Sequence, residues 1–143
     1  MATNEPDFWN QHSLHYLEMA FDSDNRENIE NPDGYGQRTG ICGDSVEFFI
    51  LVDKGILKHI SFDAQGCINT VACCNTVIHL TRGKTIETAW EILPDHVAGF
   101  LETLPPDHLH CAELAVGGFY LALSDYREKQ KNRVHGNSRA RQL

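Results

Sequence analysis

Val46-Glu47-Phe48-Phe49-Ile50-Leu51-Val52-Asp53-Lys54-Gly55-Ile56-Leu57-Lys58-His59-Ile60-Ser61-Phe62-Asp63-Ala64 is the stretch that decides the fold. It reads as two extended runs around a turn. Val46, Phe48, Ile50 and Val52 share one face of the first run, because residues two apart in a strand point the same way. Asp53-Lys54-Gly55 reverses the chain, and Gly55 is free to take a positive φ. In the returning run Ile60, Phe62 and Ala64 alternate with His59, Ser61 and Asp63, as in an antiparallel strand buried on one side. Residues 37–41 are expected to add a third strand.

Working outward, Gly66-Cys67 hands the second run over to a helix at 68–82, where Val71, Cys74 and Ile78 recur at helical spacing and Gly83 ends the pattern. Thr85 is a good N-cap for a helix over 86–93, stopped by Pro94. A short helix follows at 95–104. After Pro105-Pro106-Asp107 comes the longest helix, to about Lys129, with Leu109, Ala112, Val116, Phe119, Leu123 and Tyr126 as its buried stripe. On the other side, 22–36 is an acidic loop with the turn Asn31-Pro32-Asp33-Gly34, and 8–21 is a first helix. Strands come first and helices cluster after them, so the fold class is α+β: a small antiparallel sheet with helices packed on one face.

The chain has 143 residues, one domain's worth. Residues 1–130 are read as that domain and 131–143 as a flexible basic tail. Lys and Arg number 12 against 20 Asp and Glu, a net charge of −8, which argues against nucleic acid as a partner. No apolar run approaches the roughly 18 residues of a membrane span, and the acidic opening is not an export signal. Five cysteines in such a chain read as reduced thiols, and the expected location is the cytoplasm. The charge is asymmetric: residues 1–34 hold eight acids and the single base Arg26, whereas from Arg127 onward there are six bases and one acid.

Three thiols have settings that suggest chemistry. Cys42 lies in Gly40-Ile41-Cys42-Gly43-Asp44, and in an extended chain it would share a face with Asp44. Cys67 stands where a strand gives way to a helix, and Cys111 lies near the start of the longest helix if Asp107 caps it. Amide dipoles at helix N-termini favour thiolate over thiol. His110 adds a nitrogen donor beside Cys111. Cys73 and Cys74 fall within a helix and are assigned to packing. His12, His15, His59, His79, His96 and His135 are read as surface histidines.

These motifs, with Gly83-Lys84-Thr85, Leu104-Pro105-Pro106 and Leu109-His110-Cys111, resemble in order the NifU/IscU family of iron–sulfur cluster assembly scaffolds over roughly residues 31–130. The resemblance implies a SufE/NifU-like fold. It implies that Cys42, Cys67 and Cys111 carry a 2Fe–2S cluster or its iron, with Asp44 or His110 as fourth ligand. It also implies a cysteine desulfurase as sulfur donor, acceptor apo-proteins as recipients, and a non-enzymatic role. The donor chemistry agrees: clusters want thiolates, and one harder donor among them makes an exchangeable corner. Zinc would occupy the same S₃O or S₃N set.

The sequence departs from the family pattern in three places. Asp107-His108 stands where a Val-Lys pair is usual, which argues against handling by a DnaK-class chaperone. Cys73-Cys74 replaces part of a Ser-rich helix, and the opening segment is more acidic. Three rival readings compete with the scaffold. A persulfide carrier needs only one reactive thiol, a structural zinc protein should unfold without its metal, and a Cys–His enzyme using Cys111 would need a base from a helix neighbour that points about 100° away.

Overall fold

The computed structural model describes residues 4–142, with side chains described for 8–133. The hairpin forms as its alternation predicts. Strands β1 (Gly34–Thr39), β2 (Ser45–Asp53) and β3 (Ile56–Gln65) make one antiparallel sheet in the order β1-β2-β3. Val46 pairs with Ala64, Phe48 with Phe62 and Ile50 with Ile60, so the apolar residues of β2 and β3 stand opposite one another. Lys54 (φ 53°) and Gly55 (φ 78°) make the tight turn, both left-handed as a twist-matched two-residue hairpin requires.

The third strand starts three residues earlier than the 37–41 expected and stops at Thr39. Its glycines explain the shift. A Cβ on Gly36 would lie 2.4 Å from the Ala122 nitrogen, so this strand lies directly on a helix backbone at a position that no side chain allows.

Helices α1 (Asn4–Gln11), α2 (Leu14–Phe21), α3 (Ile68–Thr81), α4 (Ile86–Ala89), α5 (Pro94–Leu101) and α6 (Leu109–Gln142) complete the molecule, with a 3₁₀ turn at Pro106–His108. The single first helix expected over 8–21 is two helices. Ser13 breaks it by capping α2, accepting from the Tyr16 N–H at 3.0 Å while its own hydroxyl donates to the Leu101 carbonyl at 2.6 Å. Thr85 caps α4 as expected, at 3.1 Å to the Thr88 N–H, but Pro94 opens α5 rather than closing α4.

Helix α6 runs past Lys129, and residues 131–142 are helical where the sequence reading has a frayed tail. Ion pairs Lys129–Asp125 (3.1 Å) and Lys131–Glu128 (3.8 Å) join successive turns as far as Lys131. The core lies between sheet and helices: Val46, Phe48, Ile50, Ile60 and Phe62 meet Val77 and Ile78 of α3 and Phe119 and Leu123 of α6. Residues 25–27 bond to Phe62 and cover the outer edge of β3. Among the described residues, no helix is long and apolar enough to cross a membrane.

Candidate metal centre

Three chain reversals meet at one end of the sheet. The β1–β2 turn delivers Asp44, the β3–α3 junction delivers Cys67, and the start of α6 delivers Cys111. One ligand atom from each lies within 4.8 Å of the other two. Tetrahedral bonds of zinc–thiolate length place neighbouring ligand atoms roughly 3.8 Å apart, so small adjustments would seat a metal. A thiolate pair with a carboxylate suits zinc or an iron of a cluster. Gly66 makes room for the arrangement, because a Cβ there would sit 2.6 Å from Asp44 Oδ2.

Each group has its own electrostatic setting. Cys67 is the N-cap of α3, exposed, and its sulfur makes no capping hydrogen bond. Burial alone would raise its thiol, but the N–H and side-chain groups of Thr70 and Asn69 outweigh that and hold it below its ordinary value. Cys111 is fully buried and behaves oppositely. Desolvation pushes its thiol up to about 11, against the hydroxyl of Thr70, with Cys67 and Asp44 raising it further. The expectation that a helix start alone makes Cys111 a thiolate is therefore corrected. Desolvation is the largest influence on it, and a 3₁₀ turn, not an Asp107 cap, precedes α6.

Cys42 is not in the group. Residues 40–44 form a turn closed by Gly43 N–H to Gly40 O (3.1 Å) and Gly40 N–H to Asp44 O (2.8 Å), with Gly43 at φ 92°. The chain is not extended there, so Cys42 and Asp44 do not share a face by strand alternation. Cys42 is exposed at the tip, where its sulfur and the Leu114 side chain both flank Gly40. His110 is also outside the group, its ring lying 5.7 Å from that of His108.

Cys73 and Cys74 are fully buried in the core, as their helical setting predicts, and burial raises both thiols far above their ordinary value. One histidine, His12, is less superficial than expected. His12 stacks on Tyr16 with ring centroids 3.8 Å apart and bonds Thr103 Oγ1 at 2.9 Å. His96 is exposed, as expected, and accepts from the Leu93 N–H at 3.0 Å. The side chain of His135 lies outside the described residues.

The sequence reading missed Thr70. This buried residue, one turn after Cys67, donates its hydroxyl to Asp44 Oδ2 at 2.8 Å and stands 3.5 Å from Cys111 Sγ and 3.8 Å from Cys67 Sγ. Its place three residues after a helix-capping Cys was the available signal. Tyr16 was missed too. It is buried in α2 and donates to Asn69 Oδ1 at 2.6 Å, buttressing the first turn of α3 beside Cys67.

The sequence profile described as NifU-like N terminal domain matches residues 17–133. The chain belongs to this family. Within the NifU-like family it is similar to the iron–sulfur cluster assembly scaffold protein IscU 1 of Archaeoglobus fulgidus, at 35% identity over 102 residues, covering 71% of this chain and 67% of that protein. It is likewise similar to the iron–sulfur cluster assembly scaffold protein IscU of Haemophilus influenzae, at 32% identity over 126 residues, covering 78% and 99%. Among solved structures, the N-terminal part of a nitrogen-fixing NifU-like protein from Brucella abortus superposes with a TM-score of 0.68 at 13% identity, covering 82% of this chain and 94% of that one. That NifU-like structure shares the α+β architecture.

Proposed function

We propose that this NifU-like chain is a scaffold on which an iron–sulfur cluster is assembled and from which it is passed on, not an enzyme. The observation that carries this reading is the convergence of Asp44, Cys67 and Cys111 within 4.8 Å at one end of the sheet. The cluster is cargo, built as 2Fe–2S from ferrous iron and from persulfide sulfur that a cysteine desulfurase supplies and an external electron donor reduces to sulfide, then released to an acceptor apo-protein. Cys67 and Cys111 are the thiolate pair, Asp44 the hard ligand that leaves most readily, and Cys42 the third thiolate, brought in by movement of the turn at 40–44. Asp44 is favoured over His110 as the non-thiolate ligand because only Asp44 lies with the two sulfurs. Exposure and a lowered thiol make Cys67 the residue best suited to receive persulfide sulfur. Zinc fits the same donors and would be found there in protein purified aerobically.

Anaerobic reconstitution with ferrous iron and sulfide tests the proposal. Visible and Mössbauer spectra should show a 2Fe–2S centre that moves to an apo-ferredoxin. Elemental analysis should show metal lost in Cys42→Ala, Cys67→Ala and Cys111→Ala but retained in Cys73→Ala and Cys74→Ala. Full metal content in any one of the first three would remove that residue from the site.

A further inference from the structure

Three threonines are buried in helix α3, and they do different things. Thr76 donates to the Ala72 carbonyl at 2.8 Å and Thr81 to the Val77 carbonyl at 2.7 Å, the ordinary back-bond of a helical threonine. Thr70 makes no such bond. Its hydroxyl crosses to another element and donates to Asp44 Oδ2, 26 residues away, at 2.8 Å. The Cys67 N–H, at 3.4 Å, approaches the same oxygen. Both donors on that carboxylate thus come from the start of α3, and among the described residues Oδ1 has no donor. The hydroxyl also stands within reach of both sulfurs. A buried hydroxyl placed among three candidate ligands, bound to the one that is not a thiol, has the geometry of an outer partner that orients a metal ligand.

We propose that Thr70 is a positioning residue for metal capture: its hydroxyl holds the Asp44 carboxylate beside the Cys67 and Cys111 sulfurs, so that the third donor is in place before the cation arrives. This inference rests on the reading of Asp44, Cys67 and Cys111 as the cation-holding group. Asp44 sits at the end of a glycine-containing turn, and nothing else among the described residues bonds its side chain from outside the start of α3. Without the hydroxyl, the carboxylate would have to be ordered at the moment of binding, which lowers affinity. Outer partners of this kind are worth about 10- to 100-fold in metal affinity.

Cobalt(II) alone is the probe, titrated anaerobically in competition with a chelator. Its sulfur-to-cobalt charge-transfer band reports thiolate ligation, and its visible ligand-field bands report the oxygen donor. Thr70→Val, which keeps the shape and removes the hydroxyl, should bind cobalt at least about tenfold more weakly with altered ligand-field bands. Thr70→Ser should restore both. In an Asp44→Ala background Thr70→Val should have no further effect, because a residue that acts through Asp44 has nothing left to position. Wild-type-like affinity and spectrum in Thr70→Val would overturn the proposal, as would equal losses with Asp44 present and absent, which mark a merely structural threonine. Absence of a charge-transfer band in the wild-type protein would instead overturn the underlying reading of the metal site, and this inference with it.

Discussion

At the scale of single residues the site is built from unlike groups. Cys67 is exposed with its thiol held down by the start of a helix, and Cys111 is buried with its thiol pushed up to about 11. Asp44 is a hard oxygen beside soft sulfur. On the proposed function, a carboxylate in that company would dissociate first and open an iron to an incoming acceptor thiolate. Asp44→Ala should therefore hold a reconstituted cluster longer and transfer it more slowly to an apo-ferredoxin, with water or His110 filling the corner. The decay of the visible charge-transfer band, with and without acceptor, measures this. Faster loss in the variant under both conditions would show that Asp44 retains the cluster instead of releasing it.

Two elements around the site invite tests of their own. The joint between α1 and α2 docks onto the end of α5 through His12 and Ser13, which bond Thr103 and Leu101. Burial against Tyr16 lowers the His12 imidazole, only partly offset by its bond to Thr103. Such a group binds its proton more readily in the unfolded chain, whose value is 6.5, than in the folded one. Its contribution is complete above about pH 6.5 and is lost as the pH falls. The melting temperature should drop on acidification from pH 7.5 to 5.5, and drop less in His12→Gln; identical pH profiles would exclude His12 as the group concerned. The second element is the segment from Leu104 to the 3₁₀ turn. Leu104 is buried, and His108 Nδ1 lies in hydrogen-bond contact with Asp107 Oδ1 at 3.1 Å, where a hydrophobic–basic pair is usual. A peptide of this segment should bind a DnaK-class chaperone more weakly than the same peptide with Val-Lys restored. Equal affinities by fluorescence anisotropy would contradict this.

For the whole molecule, the sheet and α6 must hold together if the three reversals are to meet. Phe119 of α6 packs edge-on against Phe48 of β2, with centroids 5.8 Å apart, and Phe48 in turn meets Phe62 of β3 at 6.2 Å. All three are fully buried. Phe119→Ala should cost about 3–5 kcal/mol in urea denaturation through lost burial and the cavity left behind. A loss under about 1 kcal/mol would mean that the layers are held elsewhere. Metal content of the folded fraction should survive this change, because no ligand lies in that layer.

Sequence alone was enough for the hairpin, for the α+β class and for helix α3, because strand alternation, a Lys-Gly turn and a helical repeat ended by glycine are local signals with local causes. It named Cys42, Asp44, Cys67, His110 and Cys111 as candidate ligands, of which the fold brings Asp44, Cys67 and Cys111 together, and it set Cys73 and Cys74 aside as core. The tertiary structure decided what depends on distant chain. Strand β1 lies three residues early because Gly36 must meet the backbone of α6, and the first helix breaks because Ser13 finds a carbonyl on α5. Cys42 leaves the group because hydrogen bonds close residues 40–44 into a turn where alternation assumed an extended chain. Cys111 is a buried thiol because the core desolvates it, which raises it above its ordinary value. Thr70 acquired its place only in the fold: a threonine in a helix ordinarily turns back on its own carbonyls, and this one faces a carboxylate 26 residues away that only chain reversal brings near.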